Sequence, residues 1–132
     1  MRLSRKQKRK ITNIARMFLG RPYGEEFDCI EFIRAVYRSA DVHIPKISPL
    51  AAPPYEFNIR KEELKNAPEG NIIFLKDRYD PRKERKWTHA VIALRHGQCI
   101  HNSIFYGSKV TISNIETITK DRYDFAESVP PP

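Results

Sequence analysis

The stretch GRPYGEEFDCIEFIRAVY, residues 20–37, decides how this chain folds. Gly20 ends a preceding helix, since glycine most readily takes the left-handed backbone common at that position. A second helix is predicted over residues 28–40, with Asp28 as its N-cap and apolar side chains at helical spacing. Cys29 therefore lies in the first helical turn, where free backbone N–H groups favour a negative charge.

The rest of the chain places helix before sheet. Residues 3–19 carry apolar side chains on one face and Lys or Arg on the others, which predicts an amphipathic helix. Prolines predict a loop over residues 44–58, followed by a short helix at 60–66. Strands are predicted for four runs: NIIFLK (71–76), HAVIAL (89–94), QCIHNSI (98–104) and KVTIS (109–113). This order predicts an α+β domain in which N-terminal helices pack on a C-terminal antiparallel sheet.

Length and composition indicate one folded domain. The chain has 132 residues, of which 40% are hydrophobic and 30% charged, an ordinary balance for a folded protein. A single domain is expected over residues 1–132, with helix 3–19 belonging to it and the proline-rich end, 127–132, frayed. No run approaches the ~20 apolar residues that a membrane-spanning helix needs.

The charge of the chain favours anionic partners. The formal net charge is +8, and six of the first ten residues are basic. Such a surface attracts nucleic acid, anionic lipid or acidic cell-wall polymer, although the basic run also fits a solvated helix face. Nucleic acid is disfavoured, because the sequence contains no recognisable binding motif.

The basic start also fits the first part of a signal peptide. However, Asn13 and Arg16 interrupt the apolar stretch that should follow it. No secretory signal is predicted, so the expectation is a cytoplasmic protein or one exported by a non-Sec route.

Cys29 and Cys99 are the two cysteines, which are too few for a disulfide framework. A single bridge between them is the alternative to two free thiols. A cysteine at a helix start suits thiol catalysis, because the helix N-terminus and a nearby imidazolium both lower the pKa of a thiol.

Two of the four histidines fall on predicted strands. His89 opens the apolar strand THAVIAL, and His101 lies inside the next strand, CIHNS. His43 and His96 are expected at the surface, the latter with Gly97 in a hairpin turn. If paired residues have numbers that sum to about 193, His89 and His101 are diagonal neighbours or slightly farther apart, depending on register. Each could be a structural histidine, so it is the combination with a helix-start cysteine that favours a nucleophile and its base.

These motifs resemble the NlpC-type bacterial cell-wall peptidases, which are small papain-like cysteine enzymes. Their pattern runs G-x-P-Y, a glycine-containing spacer, then D-C-x-x-F and a helix ending near a tyrosine. The matching residues are Gly20, Pro22, Tyr23, Gly24, Asp28, Cys29, Phe32 and Tyr37. APEGNIIFL (67–75), HAVIAL (89–94) and CIHNS (99–103) stand where the family has its glycine turn, its histidine strand and its third polar residue. The resemblance covers about residues 14–113, in the family's order.

The resemblance implies a papain-like fold and a set of roles. Cys29 is implied as nucleophile, His89 as general base and His101 as the residue that orients His89. Tyr23, beside the nucleophile, and Asp28 are assigned to substrate or oxyanion binding, with the Cys29 backbone N–H as an oxyanion donor. The implied reaction is cleavage of peptidoglycan stem peptides at γ-D-glutamyl–diamino acid bonds, through a thioester. It needs no metal or other cofactor.

Two departures from the family leave alternatives open. The family usually reads D-C-S-G-F, whereas residues 28–32 read D-C-I-E-F, so Ile30 replaces a serine associated with the substrate's free amine. Hydrolysis or acyl transfer on another amide, isopeptide or ester is therefore an alternative. The charged insert at 77–87 fits a lid, a charged rim or a solvated loop. A non-catalytic basic module that binds an anionic polymer is a further alternative, and the oligomeric state is not predicted.

Overall fold

The computed structural model describes residues 4–42, 64, 66–82 and 84–129, with side chains as far as residue 124. In this part of the chain the helices are α1 (Arg5–Met17), α2 (Cys29–Ser39) and α3 (Ile115–Asp121). The strands are β1 (Ile72–Asp77), β2 (His89–Ala93), β3 (Gln98–Ser103), β4 (Lys109–Asn114) and β5 (Tyr123–Val129). They form an antiparallel sheet in the order β4-β3-β2-β1-β5. The predicted α+β class, with N-terminal helices on a C-terminal antiparallel sheet, is confirmed.

Local hydrogen bonds set the start of both N-terminal helices. At α1, the Ser4 hydroxyl accepts from the Gln7 backbone N–H, and the Gln7 side chain accepts from the Ser4 N–H. At α2, Asp28 accepts from two N–H groups of the first turn, at 3.0 and 2.9 Å. The predicted N-cap at Asp28 is therefore confirmed, and Cys29 is the first residue of its helix.

Different elements bury the two faces of the sheet. The face covered by α1 and α2 contains Ile11, Ala15, Phe32, Ile33, Val36, Phe74, Trp87 and Ile92. The other face contains Ile73, Leu75, Val91, Ala93, Cys99, Ile115, Ile118 and Tyr123. The central strands β1 and β2 are buried on both faces, so their sequences are nearly continuous apolar runs rather than alternating ones.

The C-terminal part differs from the expectation. Residues 115–121 form α3, and β5 follows it and pairs with β1. The expected frayed tail over 127–132 is wrong for residues 127–129, because they are the end of β5; residues 130–132 lie outside the described part. The helix was not predictable from periodicity, since it has only 7 residues and several of them are β-branched.

Other expectations concern residues that the structure does not describe. The predicted proline loop at 44–58 and His43 lie outside the described residues, as does most of the predicted helix at 60–66. The predicted turn at His96–Gly97 is confirmed, with φ values of 61° and 72°. Within the described ranges, the helices are too short or too polar to cross a bilayer.

Gly70, in the turn before β1, lies against α1. Its φ is +90°, and a Cβ at this position would lie 3.3 Å from the Cβ of Lys8. We expect Gly70→Ala to lower the free energy of unfolding by about 1–2 kcal/mol, the cost of a left-handed conformation for a residue with a side chain. Denaturant unfolding measures this change. Gly24→Ala is the control, because a Cβ there meets nothing within 4 Å, and equal losses in the two variants would contradict the prediction.

Candidate active site

The sulfur of Cys29 lies where the start of α2 meets the start of β2. The cap made by Asp28 uses the N–H groups of residues 30 and 31, which leaves the Cys29 N–H outside this cap. The backbone N–H of Ala90 hydrogen-bonds to the sulfur, and Ala90 follows His89 directly. The predicted nucleophile is thus held against the strand that carries the predicted base.

A cleft of about 460 Å³ opens beside this sulfur. Four of the predicted site residues line it: Tyr23, Asp28, Cys29 and His89. Within the described part of the chain, no direct hydrogen bond joins Cys29 to His89. Catalytic hydrogen bonds are often long before substrate binds, so a shared cleft is the relevant geometric condition.

His89 and His101 are in direct contact. Nε2 of His89 lies 2.8 Å from Nδ1 of His101, and the ring centroids are 5.0 Å apart. His89 is 5% exposed, and His101, which lies behind it, is fully buried. This contact leaves Nδ1 as the nitrogen of His89 that His101 does not engage.

The register between β2 and β3 brings His89 and His101 into contact. Ile92 lies opposite Ile100, so paired residues have numbers that sum to 192, and the expected sum of 193 is wrong by one residue. With a sum of 193, the two histidines would point to opposite faces of the sheet, because side chains alternate along a strand. With the observed register they lie on one face as diagonal neighbours, and the expected diagonal relation is confirmed.

Ser113 on β4 contacts the far side of His101. Its Oγ lies 2.8 Å from Nε2 of His101, so His89, His101 and Ser113 form a linear chain of polar contacts. When Ser113 accepts from His101, Nδ1 of His101 accepts from His89, and Nδ1 of His89 keeps its lone pair. No sequence signal singles out Ser113, because the run KVTIS reads as an ordinary strand.

Aromatic rings enclose the histidine pair. Tyr123 stacks on His89 with centroids 5.2 Å apart and ring planes 19° apart, and it hydrogen-bonds to Ser103. The ring centroid of Tyr106 is 5.6 Å from that of His101. These contacts restrict the orientation of both imidazoles. Tyr123 could not be identified from the sequence, since its role depends on the unexpected strand β5.

Two contacts tie the loop before Cys29 to the sheet. The Tyr23 N–H donates to the carbonyl of Ser108 at 2.9 Å, beside β4. The Asn102 side chain donates to the Phe27 carbonyl at 2.8 Å, and Asn102 follows His101 on β3. The cysteine loop and the histidine strands are therefore positioned by the same part of the sheet.

Burial controls the titration of these groups. It raises the pKa of the Cys29 thiol to about 12, although hydrogen bonds from backbone N–H groups, that of Ala90 foremost, act in the opposite direction. The lowered thiol pKa expected from the helix start is therefore wrong for the thiol ionising alone. Burial, and then the neighbouring His101, lowers the pKa of His89 well below its ordinary value, and burial lowers that of His101 to about 4.

These pKa shifts favour a neutral resting site, with a thiol and two neutral imidazoles. Burial penalises either charge alone more than it penalises two opposite charges side by side. Transfer of the thiol proton to His89 creates such a pair without changing the net charge of the site. The arrangement suits a thiol that loses its proton to the imidazole as it attacks.

The remaining predictions for this region concern Cys99 and the charged insert. Cys99 is fully buried, and both cysteines are free, so the alternative of a bridge between Cys29 and Cys99 is wrong. Seven described residues of the insert at 77–87 line the cleft: Asp77, Tyr79, Asp80, Pro81, Arg82, Arg85 and Trp87.

Comparisons with known proteins identify a family and similar folds. The NlpC/P60 family model matches residues 17–126, whereas a search of curated proteins finds no match. Similar solved structures include NlpC1 from Trichomonas vaginalis, at 18% identity and a TM-score of 0.74, covering 99% of this chain and 46% of that one. An NlpC/P60 family protein from Bacillus cereus has 24% identity and a TM-score of 0.68, over 94% and 40% of the two chains.

The NlpC/p60 domain of the peptidoglycan hydrolase SagA is similar over nearly its whole length. It has 23% identity and a TM-score of 0.64, over 92% of this chain and 97% of that one. By contrast, this chain spans less than half the length of the Trichomonas and Bacillus proteins. At these identities the likeness shows the fold, and the predicted papain-like, NlpC-type fold is confirmed.

Proposed function

Because this chain belongs to the NlpC/P60 family, we propose that it is a cysteine hydrolase that cleaves peptidoglycan stem peptides through a thioester on Cys29. The observation that carries the proposal is that Cys29 and His89 line one cleft while His101 contacts His89 from behind. The similar SagA domain comes from a peptidoglycan hydrolase, which favours this substrate class. Within it, the γ-D-glutamyl–diamino acid bond is the proposed cleavage site.

The proposed reaction starts from the neutral pair. His89 accepts the thiol proton through Nδ1 as the Cys29 sulfur attacks the scissile carbonyl carbon. The Cys29 N–H donates to the oxyanion that forms, and Tyr23 lines the same cleft. His89 then protonates the leaving amine nitrogen, the C–N bond breaks, and a thioester remains. His89 next deprotonates a water molecule, which hydrolyses the thioester to a carboxylic acid and restores the thiol.

Ile30 supports a second candidate, which is the same chemistry on another amide, isopeptide or ester. This side chain lines the cleft next to Cys29, where the family usually has a serine. An aliphatic side chain cannot accept a hydrogen bond from a substrate amine. A substrate that presents an apolar group at this point is therefore the alternative to a stem peptide with a free amine.

Mass spectrometry of digested peptidoglycan tests the leading candidate. Purified peptidoglycan is incubated with wild type or with Cys29→Ala, and we expect new fragments ending at γ-linked glutamate only with wild type. A synthetic γ-glutamyl–diamino acid peptide and its α-linked isomer serve as matched substrates. Cleavage of the γ-linked peptide alone supports the proposed bond. Identical fragment profiles for wild type and variant would contradict a wall peptidase and favour the second candidate.

The pH dependence of kcat/KM reports the state of His89. We expect activity to persist below pH 6.5 and then to fall, because burial lowers the pKa of His89 and only the neutral imidazole accepts the thiol proton. Near pH 4 His101 also gains a proton, which removes its acceptor nitrogen. Initial rates across the acidic range measure this. A fall centred at or above pH 6.5 is the contrary result.

A control is needed because the same protonation weakens the fold. At pH values above the ordinary histidine pKa, these buried neutral histidines contribute to the stability of the folded state. This contribution is lost as the pH falls through their lowered folded-state pKa values. Circular dichroism at each assay pH separates loss of the base from loss of structure.

Ser113 is a positioning residue in this scheme, because it acts through His101. We expect Ser113→Ala to lower kcat by about 10-fold, the lower end of what outer partners of functional histidines contribute, with KM little changed. Ser113→Thr keeps the hydroxyl contact to His101 and should restore the rate. Steady-state kinetics of both variants measure the effect, and equal rates for alanine and threonine would show that the hydroxyl has no part.

A further inference from the structure

The charges on α1 work against the helix that carries them. Its 13 residues include six basic side chains and no acidic one: Arg5, Lys6, Lys8, Arg9, Lys10 and Arg16. Five of the six lie in the first two turns, at the positive end of the helix dipole, where cations are unfavourable. Arg5 and Arg9, like Lys6 and Lys10, are four residues apart, a spacing at which like charges repel. The stability of α1 therefore does not explain this charge pattern.

The apolar face of α1, and not its charged side chains, stabilises this helix. Ile11 and Ala15 are fully buried against the core. This face is therefore used within the domain and cannot enter a lipid layer, whereas most of the basic side chains are exposed. The basic surface extends from Arg5 to Arg16, which corresponds to roughly 16 Å along the helix axis. A small anion cannot contact a surface of that length, but a linear polymer can.

A basic groove lies between α1 and the turn before β1. It has a volume of about 340 Å³ and is lined by Arg5, Lys8, Pro68, Glu69 and Arg95. The one carboxylate among the groove residues, that of Glu69, already has partners. It accepts a hydrogen bond from the Thr12 hydroxyl at 2.6 Å and pairs with Arg95 at 2.9 Å. Within the described residues, Arg5 and Lys8 have no ion-pair partner. None of the groove residues lines the cleft at Cys29.

We propose that this basic groove and the adjoining face of α1 bind a linear polymer of phosphodiester-linked polyol units. Arg and Lys are suited to phosphate oxygens, and neutralising several phosphates in a row gives useful affinity from individually weak contacts. The groove contains no aromatic side chain, whereas proteins that hold single-stranded nucleic acid stack its bases on aromatic rings. Single-stranded nucleic acid is therefore disfavoured as the polymer, and duplex nucleic acid is an outcome of the test below. Such binding does not depend on the proposed function, because no groove residue takes part in it.

Binding to poly(glycerol phosphate) tests the proposal, using the full chain carrying Cys29→Ala so that no substrate is consumed. We expect binding that weakens with salt, and about 10-fold weaker binding for Arg5→Gln/Lys8→Gln at low salt. The salt slope should fall by about 1.4 if each lost cation neutralised one phosphate. Glutamine keeps a good helix propensity, and removing the repulsion leaves the helix no less stable, which circular dichroism verifies.

Arg38→Gln/Lys120→Gln is the matched control, since it removes the same charge from exposed sites outside the groove. It should bind nearly as tightly as the parent. Equal weakening in both double variants would overturn the groove, because bulk charge would then explain binding. Tighter binding to single-stranded or duplex DNA, to poly-L-glutamate or to vesicles containing phosphatidylglycerol would overturn the proposed polymer class.

Discussion

Replacing Cys29 with alanine is expected to lower kcat by on the order of 10⁴-fold or more, because the thioester cannot form without the sulfur. Rates on the γ-linked peptide measure this loss. The structure also predicts which thiol reacts: Cys29 lines the cleft, whereas Cys99 is fully buried. Brief treatment with iodoacetamide should therefore label Cys29 alone, as read by peptide mass spectrometry.

Cys99→Ala is the control for this experiment, since it removes the other thiol, which lies on the sheet face opposite α1 and α2 and does not line the cleft. Its activity should match wild type once its folded fraction is taken into account. A Cys29 variant that keeps most of the activity would remove the thioester mechanism. If only Cys99→Ala lost activity, Cys99 and not Cys29 would be the nucleophile.

Replacing His89 with glutamine is expected to lower kcat by on the order of 10³-fold, within the range that a general acid–base group contributes. The same variant should react slowly with iodoacetamide at Cys29, because burial raises the pKa of this thiol to about 12 and leaves it protonated without a base. Glutamine keeps a polar side chain next to His101, so the strand pair should remain folded. Stopped-flow alkylation and steady-state kinetics provide the two measurements.

His96→Asn is the matched histidine control. His96 lies in the exposed turn between β2 and β3 with φ of 61°, a conformation that asparagine tolerates. We expect normal activity and normal alkylation of Cys29 in this variant. If His89→Gln were alkylated as fast as wild type, the imidazole would not be the base of this thiol.

Much of the fold could be predicted because its signals are local. Asp28 and the apolar spacing that follows it indicate α2 through contacts within a few residues, and the His96–Gly97 turn is equally local. The pairing of β5 with β1 joins segments about fifty residues apart. No short-range pattern reports such a pairing, so residues 127–129 were expected to be frayed.

The candidate site likewise combines residues that the sequence predicts with residues that only the tertiary structure identifies. The resemblance to NlpC-type peptidases predicted Cys29, His89 and His101, and the structure places two of them on one cleft with the third directly behind. Ser113 and Tyr123 complete the surroundings of the imidazoles from β4 and β5. Neither residue has a distinctive type or spacing, so only their position in space identifies them.

The sequence by itself determined that a sulfur begins a capped helix and that two histidines follow on neighbouring strands. Tertiary structure alone decided that these histidines touch, since moving the β2–β3 register by one residue would turn one ring to the opposite face. It also decided the direction in which the pKa of the thiol is shifted. A helix start favours the thiolate, but burial against the sheet outweighs it, and the extent of burial depends on every segment that packs around the site.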